Sequence, residues 1–200
     1  NDINTLYIDS RKRLWIPTNT PSQTVMVDKG KTINKFNVDG REKQFKGMCL
    51  IKELEQDIFL FGAISDSVFV YDMNEETVTD LTARLQNGEK NKRLGSITGA
   101  LKDIEQYIWI ATTKGGLFRL DKELNLIQNY QKEDGLSESY INSLSIDKNG
   151  DIWVVTVKEL YKLNRPENKF ELISPIDSPT QEYTLYANNC VSKDGTLYFP

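Results

Sequence analysis

One short strand occurs three times in the sequence, and this recurrence limits the fold more than any other feature. The stretches KRLWIPT (12–18), QYIWIAT (106–112) and GDIWVVT (150–156) share a frame: an apolar residue, tryptophan, Ile or Val, one more residue, and then threonine. Apolar triplets centred on Phe59 and Tyr198 extend the series to five, at intervals of 44, 50, 44 and 45 residues. A period of about 40 to 50 residues is typical of a chain built from repeated structural units.

Other positions recur in step with the aromatic residue. Aspartate stands six residues before each tryptophan, and isoleucine stands twelve residues before it. The second repeat, which has Phe59 instead of tryptophan, also has Gly62 instead of threonine. Since every unit contains them, the recurring positions are predicted to be structural. They are Trp15, Phe59, Trp109, Trp153 and Tyr198, together with Thr18, Thr112 and Thr156 and with Asp9, Asp103 and Asp147.

Each repeat has the pattern of four short antiparallel strands. An alternating strand such as INSLSID (141–147) leads into a turn such as KNGD (148–151), whose Asn-Gly pair accepts positive φ in a tight hairpin. The tryptophan strand follows, then a third strand such as LYKLN (160–164) and a weaker fourth such as KFELIS (169–174). No segment has a convincing helical period, although a helical turn is an alternative for ETVTDLTARLQ (76–86).

Four antiparallel strands in each repeat predict an all-β fold made of β-propeller blades. One four-stranded sheet cannot bury both of its faces, so blades stack face to face, and tryptophan is expected to pack between neighbours. We expect a single partial propeller over 1–200, with about four and a half blades that form an open arc or part of a seven-bladed propeller. Its repeats are placed at 1–44, 45–92, 93–137 and 138–182, with a half-repeat at 183–200.

Composition excludes several classes of function. The 200 residues include no histidine, which removes the commonest general base and metal ligand, and no metal or cofactor is expected. The net charge of −4 argues against a nucleic-acid partner. No apolar run is long enough for a membrane span. Cys49 and Cys190 are too few for a disulfide scaffold or a zinc site, so buried free thiols are predicted, with a disulfide as the alternative.

The repeats resemble the two-component-regulator propeller repeat. That pattern has Gly-Leu, an apolar strand ending in Asp, a polar turn with Gly, Ile-Trp-Ile-x-Thr, and then Gly-Leu with a short aromatic strand. The segment EDGLSESYINSLSIDKNGDIWVVTVKELYKLNRPENKFELI (133–173) carries the resemblance, and NDINTLYIDSRKRLWIPT (1–18) and ITGALKDIEQYIWIATTKGGLFRLD (97–121) match the same pattern. Residues 45–90 match poorly, because Phe59 and Gly62 replace the tryptophan and threonine.

The resemblance implies a sensor rather than an enzyme. Members of the family are the sensor portions of hybrid two-component systems in gut bacteria, with two seven-bladed propellers, a β-sandwich, a membrane helix and a cytoplasmic histidine kinase. Their propellers lie in the periplasm and detect oligosaccharides released from glycans. For this chain, the resemblance implies a periplasmic segment of an inner-membrane protein. Its implied partners are an oligosaccharide, the remaining blades and sensor domains of the parent chain, and a second copy in a homodimer.

Ligand contacts are expected in loops at one end of the blades, where the repeats stop agreeing. If the first strand of each blade is innermost, its entry loop and the loop between its second and third strands open on the same face. The entry loops are 43–46, 92–95, 138–140 and 182–184, and the second loops are 19–22, 63–66, 113–115 and 157–159. A sugar needs an aromatic platform, and an acidic sugar also needs Arg or Lys. The predicted ligand residues are Arg93, Lys114, Tyr140, Lys158 and Tyr183.

Two other classes of function remain open at this point. A polysaccharide lyase or glycosidase on a propeller fold would need a base or paired carboxylates, and no carboxylate pair stands out in the sequence. A protein-interaction scaffold of the WD-repeat type would carry Trp-Asp and Gly-His dipeptides, and neither occurs. The leading prediction is a non-catalytic sensor that binds a glycan fragment and passes the signal to a kinase.

Overall fold

The computed structural model describes residues 6–18, 24–64, 66–89, 91–175, 190–191 and 197–198. Antiparallel strands make up nearly all the regular structure of these residues, which also contain one short α-helix and one 3₁₀ helix. Four of the sheets have four strands each, and strands that are adjacent in sequence are adjacent in the sheet. The predicted fold class, all-β with four-stranded propeller blades, is confirmed.

The first of two compact units comprises residues 1–91 and 95–97 and holds two of these sheets, which we name blade 1 and blade 2. Blade 1 contains β1 (Tyr7–Ile8), β2 (Leu14–Ile16), β3 (Val25–Asp28) and β4 (Lys31–Ile33). A separate hairpin follows, formed by β5 (Phe36–Val38) and β6 (Arg41–Lys43). Blade 2 contains β7 (Met48–Glu55), β8 (Ile58–Ala63), β9 (Val68–Asp72) and β10 (Thr77–Asp80), and is followed by the helix α1 (Thr82–Gln86).

The core of unit 1 lies between blade 1 and blade 2. Trp15 is fully buried, and its ring centroid lies 4.5 Å from that of Phe59 and 5.8 Å from that of Phe61, both in β8 of the next blade. The hairpin β5–β6, which the sequence analysis did not predict, adds Phe36 to this core at 5.6 Å from Trp15. Burying such rings contributes about 1.5–3 kcal/mol each, so the hairpin is part of the hydrophobic core rather than a surface appendage.

The second compact unit comprises residues 92–94 and 98–200 and holds blade 3 and blade 4. Blade 3 contains β11 (Ile97–Lys102, whose first residue belongs to unit 1), β12 (Ile108–Thr112), β13 (Leu117–Leu120) and β14 (Leu126–Tyr130), followed by the 3₁₀ helix Lys132–Asp134. Blade 4 contains β15 (Ser143–Ile146), β16 (Ile152–Val155), β17 (Glu159–Asn164) and β18 (Lys169–Pro175). A two-stranded sheet comprises β19 (Cys190–Val191) and β20 (Leu197–Tyr198).

The core of unit 2 lies between blade 3 and blade 4. Trp109 is fully buried and stacks on Tyr130 of its own blade, with ring centroids 5.5 Å apart. Both rings belong to a hydrophobic cluster that includes Ile152 and Val154 of β16 in the next blade. In each unit, therefore, a tryptophan of the second strand lies among side chains of the following blade. Trp153, the third tryptophan, is half-buried.

The segment 76–86, for which the sequence allowed either a strand or a helical turn, contains one of each. Residues Thr77–Asp80 complete blade 2 as its outer strand, and Thr82–Gln86 form α1. Leu81 and Leu85 are fully buried, and because they are four residues apart they share the side of this helix that packs inward. The helix ends at Asn87, whose left-handed conformation stops further helical hydrogen bonding.

An aspartate carboxylate organises the turn between the first and second strands in three blades. In blade 3, Oδ1 of Asp103 accepts the N–H groups of Glu105 and Tyr107, both at 2.9 Å, and Oδ2 accepts the indole N–H of Trp109 at 2.8 Å. The same three bonds recur at Asp9 with Trp15 and at Asp147 with Trp153. The spacing of six residues in the sequence therefore reflects a carboxylate whose hydrogen bonds fix both the turn and the indole.

These hydrogen bonds also change the acidity of the carboxyl groups. Burial acts to raise the pKa of Asp9, but hydrogen bonds from Trp15 and Arg13 outweigh it and hold the pKa below its usual value. Burial likewise acts to raise the pKa of Asp147, and hydrogen bonds from Trp153 and the turn backbone leave that pKa lowered. The charged form of each carboxylate is thus the form that the folded blade stabilises.

The repeated threonine closes the loop that follows the tryptophan strand. In blade 3, the hydroxyl of Thr112 donates to the carbonyl of Gly116 at 2.8 Å and accepts the N–H of Gly115 at 2.9 Å. Thr156 makes the corresponding but longer bonds in blade 4, both at 3.4 Å. Thr18 is half-buried and precedes residues 19–23, which lie outside the described residues.

Gly62, which takes the threonine position in blade 2, stands against a neighbouring side chain. A Cβ added to Gly62 would lie 2.5 Å from Cβ of Ile97, a distance that real Cβ atoms essentially never show. The sulfur of Cys49 lies nearby, 3.3 Å from the carbonyl oxygens of both Gly62 and Ile97, either of which can accept its S–H. Cys49 is a free, half-buried thiol, and nothing is described of the Cys190 side chain.

Candidate functional site

Hydrogen bonds between loops bring one end of blade 3 and blade 4 together. The carbonyl of Leu94 accepts the N–H groups of Lys114 at 2.9 Å and Gly115 at 3.3 Å, which joins the entry loop of blade 3 to its second loop. Gly116 donates its N–H to the carbonyl of Ser139 at 3.1 Å, which joins that loop to the entry of blade 4. These segments form what we call the loop end of unit 2, defined by residues 92–94, 113–116, 138–140 and 157–159.

The loop end continues across blade 4 through a carboxylate. Oε1 of Glu138 accepts the N–H of Val157 at 3.1 Å, so the entry loop of blade 4 is held against its second loop. The carbonyl of Thr112 also accepts the N–H of Ile141 at 3.0 Å, at the point where the chain enters β15. The entry loops and second loops of both blades therefore lie at the same end of their sheets, as the sequence predicted.

Four of the five predicted ligand residues lie on the loop end of unit 2. Arg93, Lys114 and Lys158 are exposed there, and Tyr140 is half-buried. Tyr183 lies outside the described residues, as do the loops 19–22 and 182–184. The structure thus gathers the four described candidates on neighbouring loops, and their contact with a ligand stays a prediction.

Two further residues at this surface, Tyr161 and Glu159, were not among the predicted ligand residues. The hydroxyl of Tyr161 donates to Oε2 of Glu159 at 2.5 Å and accepts the N–H of Ser137 at 3.1 Å. Hydrogen bonds from Ser137 and Tyr161 hold the pKa of Glu159 below its usual value, whereas burial raises the pKa of Tyr161. The carboxylates of Glu159 and Glu138 therefore accept hydrogen bonds from donors of the protein itself.

The cations of the loop end have different surroundings. The ammonium of Lys92 lies 5.4 Å from the ring centroid of Phe118, a cation–π arrangement that turns this side chain toward its own blade. Lys114 and Lys158 project from the tips of the second loops with exposed side chains. Lys92 lies in the predicted entry loop 92–95, but its contact with Phe118 could not be predicted, because the two residues are distant in the sequence and only the fold brings them together.

The corresponding loops of unit 1 are joined in the same way. Thr24 donates its N–H to the carbonyl of Phe45 at 2.7 Å, and Ile64 donates to the carbonyl of Gly47 at 3.2 Å. The hydroxyl of Ser96 donates to the carbonyl of Ile64 at 3.4 Å. The predicted ligand residues that the structure describes all lie in unit 2, and none lies on these loops of unit 1.

The opposite end of unit 1 contains a buried charged cluster. Arg13 is held between two carboxylates, with its guanidinium 2.6 Å from Asp9 of its own blade and 2.6 Å from Asp57 of blade 2. Arg11 also contacts Asp57 and is more exposed. Burial acts to lower the pKa of Arg13, but the hydrogen bonds that its guanidinium donates to Asp9 and Asp57 outweigh burial and raise the pKa. Because each charge has its partner, this cluster joins two blades and is structural.

The described residues contain neither a metal centre nor a membrane helix. No group of three or more His, Cys, Asp or Glu side chains in the described ranges is arranged to hold a metal ion. No helix in the part of the chain that the structure describes is long and apolar enough to cross a membrane.

A comparison with known families matches part of blade 4 and the loop before it. Residues 135–158 match the family described as "Two component regulator propeller". Residues 135–158 are therefore similar to one two component regulator propeller repeat. The matched segment covers Glu138 and Tyr140, the Asp147 turn with Trp153, and Lys158, and it confirms the resemblance that the sequence indicated. No curated protein sequence matches the chain.

Solved structures with the same fold include extracellular domains. The extracellular domain of BT3049 from B. thetaiotaomicron, described as a hybrid two component system, has a TM-score of 0.73 and 17% identity, with 100% of this chain and 26% of that chain covered. The extracellular domain of BT4673 from the same organism, also described as a hybrid two component system, has a TM-score of 0.70 and 18% identity, with 100% and 28% covered.

A third similar structure belongs to an enzyme. Virginiamycin B lyase from Staphylococcus aureus has a TM-score of 0.61 and 12% identity, with 97% of this chain and 75% of that chain covered. At such identities the three comparisons show the propeller fold alone. The chain spans about a quarter of the length of the two extracellular domains.

Proposed function

We propose that this chain is a non-catalytic segment of the periplasmic sensor region of a hybrid two-component system. In this role it contributes to the recognition of a glycan fragment and to signal transduction to a histidine kinase. The observation that carries the proposal is the two component regulator propeller repeat at residues 135–158. The extracellular domains of two proteins described as hybrid two component systems share the fold over the whole chain, which supports the same role.

The proposed ligand surface is the loop end of unit 2. A sensor needs a rigid support under variable loops, and here the loops are tied to one another by backbone hydrogen bonds and by Glu138. The exposed ammonium groups of Lys114 and Lys158 can donate hydrogen bonds to sugar hydroxyl, carboxylate or sulfate oxygens. Tyr140 supplies an aromatic surface on the loop between them.

The proposed mechanism of signalling is a change in the packing of sensor domains or protomers. A ligand can shift such an equilibrium only by the difference between its affinities for the two states. The partners in this proposal are the remaining blades and sensor domains of the parent chain, with a homodimer as the assembly that responds. The division of the chain into repeats at 1–44, 45–92, 93–137, 138–182 and 183–200 is part of the same proposal.

The test is calorimetric titration of the intact extracellular region with a panel of neutral, uronic-acid-containing and sulfated oligosaccharides. We expect one class of oligosaccharide to bind, and Lys114→Ala or Lys158→Ala to weaken binding by about tenfold, since a hydrogen bond from a charged group contributes about 1.5 kcal/mol or more. Lys122→Ala is the matched control, because Lys122 is also exposed but lies beyond the other end of β13.

Two results would count against the proposal. Absence of binding across the whole panel would contradict a glycan-sensing role for the region. New reducing ends or unsaturated products after incubation with a glycan would show that the region is an enzyme. Binding that is weakened equally by Lys122→Ala and Lys114→Ala would keep the sensor role but move the ligand away from the loop end of unit 2.

A further inference from the structure

The sequence contains two Asn-Gly pairs, and the structure places them in contrasting surroundings. Asn87-Gly88 follows α1 in unit 1, and Asn149-Gly150 forms the turn between β15 and β16 in unit 2. We propose that Asn87 is a site of spontaneous deamidation in the folded protein, whereas the fold protects Asn149. The proposal concerns a covalent modification and is independent of the proposed sensor function.

Asn87 and Gly88 form an open, exposed pair. Both residues are exposed, and Asn87 has φ of 51° and ψ of 44°, the left-handed conformation that follows a helix C-terminus. Gly88 also has positive φ, at 79°, and an added Cβ there would meet no atom within 4 Å. Among the described residues, no hydrogen-bond acceptor holds the N–H of Gly88. The backbone nitrogen of Gly88 is therefore accessible and unhindered.

In the second pair, Asn149-Gly150, hydrogen bonds fix both the N–H and the carbonyl of the glycine. The N–H of Gly150 donates to the carbonyl of Asp147 at 3.0 Å, and its carbonyl accepts a hydrogen bond from Arg165 at 2.8 Å. Gly150 is buried, and an added Cβ there would lie 2.6 Å from Cδ1 of Ile104. The N–H of Asn149 donates to Oδ1 of Asp147 at 2.9 Å. Both backbone amides of this pair are thus fixed by the aspartate that organises the turn.

The chemistry requires the backbone nitrogen that follows the asparagine. After hydroxide removes its proton, the nitrogen of Gly88 attacks Cγ of Asn87. The new N–Cγ bond forms a succinimide ring while the Cγ–Nδ2 bond breaks and ammonia leaves with a proton from water. Water then opens the ring at either carbonyl and yields aspartate or isoaspartate. The sequence of steps consumes one water, releases one ammonia and involves no oxidant or reductant.

Glycine at the second position favours this attack because it lacks a Cβ that would obstruct the approach of its nitrogen. At Gly150 the same attack must first break the hydrogen bond to Asp147. The loss of one hydrogen bond corresponds to about tenfold in rate, so we expect Asn87 to react at least that much faster than Asn149.

Deamidation would change the end of α1 in two ways. Either product adds one negative charge to a chain whose net charge is −4. Isoaspartate also adds a methylene to the main chain, at the residue whose N–H donates to the carbonyl of Arg84 at 3.1 Å. Because the helix has only five residues, we expect its last turn to loosen in the isoaspartate form.

The test is peptide mapping of the intact folded protein after incubation at mildly alkaline pH. Trypsin releases the two sites separately, in peptides 85–90 and 149–158. We expect the mass increase of deamidation, with separate aspartate and isoaspartate peaks, in the first peptide and about tenfold less in the second. In urea, where the Asp147 turn is unfolded, the second peptide should react as fast as the first.

Asn87→Gln should remove the signal from the first peptide, and Asn149→Gln should leave it unchanged. Equal deamidation of both peptides in the folded protein would overturn the proposal, since the turn at Asp147 would then give no protection. An unmodified first peptide, under conditions that modify the second peptide in urea, would show that the α1 terminus is held in a way that blocks the attack.

Discussion

Replacement of Asp103 by alanine is expected to cost more stability than the same change at Asp147. The two carboxylates accept the same set of three hydrogen bonds, from two turn amides and one indole, at 2.8 to 3.0 Å. They differ in burial. Asp103 and Trp109 are both buried, whereas Asp147 and Trp153 are half-buried and can exchange lost hydrogen bonds for water.

The magnitude follows from the groups left without a partner. In Asp103→Ala, the fully buried indole N–H of Trp109 loses its acceptor, which costs about 1–3 kcal/mol, and two turn amides lose bonds of about 1 kcal/mol each. We expect a total loss of about 3–5 kcal/mol. In Asp147→Ala, water replaces most of the lost bonds, and we expect a loss of about 1–2 kcal/mol.

Equilibrium urea unfolding of the wild type and the two variants measures this difference, with tryptophan fluorescence and circular dichroism as independent probes. Coincident transitions by both probes would justify a two-state treatment. Asp121→Ala is the control, because Asp121 also organises a turn, through bonds to Asn125 at the exposed β13–β14 connection. Equal losses at Asp103 and Asp147 would refute the reasoning from burial.

Three further predictions follow from the acidity and packing of single residues. The pKa of Asp9 is lower in the folded chain than the usual value for an aspartate, because of the hydrogen bonds from Trp15 and Arg13. Its contribution to stability is therefore complete above about pH 4 and is lost as pH falls through the folded pKa, so Asp9→Asn should flatten the acid limb of a stability–pH curve. Burial raises the pKa of Cys49 to about 11, so little reactive thiolate should be present at pH 8 in the folded protein. In a Cys190→Ser background, we expect the thiol of Cys49 to react with a disulfide reagent at pH 8 only after unfolding. Rapid reaction in the folded state would contradict this expectation. Gly62→Ala should lower the free energy of unfolding by about 1–3 kcal/mol. The same change should cost less in an Ile97→Gly background, which removes the Cβ that clashes; an equal cost in both backgrounds would show that the clash is not the cause.

The strands and their repeat could be predicted because each blade is a local pattern. The alternation, the Asn-Gly turn and the tryptophan frame of blade 4 all lie within about 40 residues, and the observed β17 and β18 agree with the predicted strands to within one residue at each end. The spacing between Asp147 and Trp153 was also visible in the sequence. The hydrogen bond between the two side chains could not be predicted, since a spacing does not show which atoms interact.

Contacts between distant segments could not be predicted. Nothing in the sequence pairs Arg13 with Asp57, because the two residues are 44 positions apart and meet only when blade 1 lies against blade 2. The hairpin β5–β6 has a recognisable Asp-Gly turn at Asp39, but it interrupts the repeat and was not assigned to any strand of the pattern.

The candidate site was predicted at the level of loops and not of interactions. Periodicity located the loops that carry Lys114 and Lys158, and the structure places those loops at one end. The carbonyl of Leu94 and the carboxylates of Glu138 and Glu159, which hold the loops in position, were outside the prediction because their partners depend on tertiary structure.

The hydrogen bond between Asp103 and Trp109 has a consequence for how such a chain folds. Its two residues are six positions apart, so the turn, the carboxylate and the indole can associate before any neighbouring blade is present. Contacts at short sequence separation form quickly because little chain entropy is lost in closing them. We expect each of the three hairpins with this bond to form early and to present an oriented indole, onto which the following blade then assembles in the order of the chain.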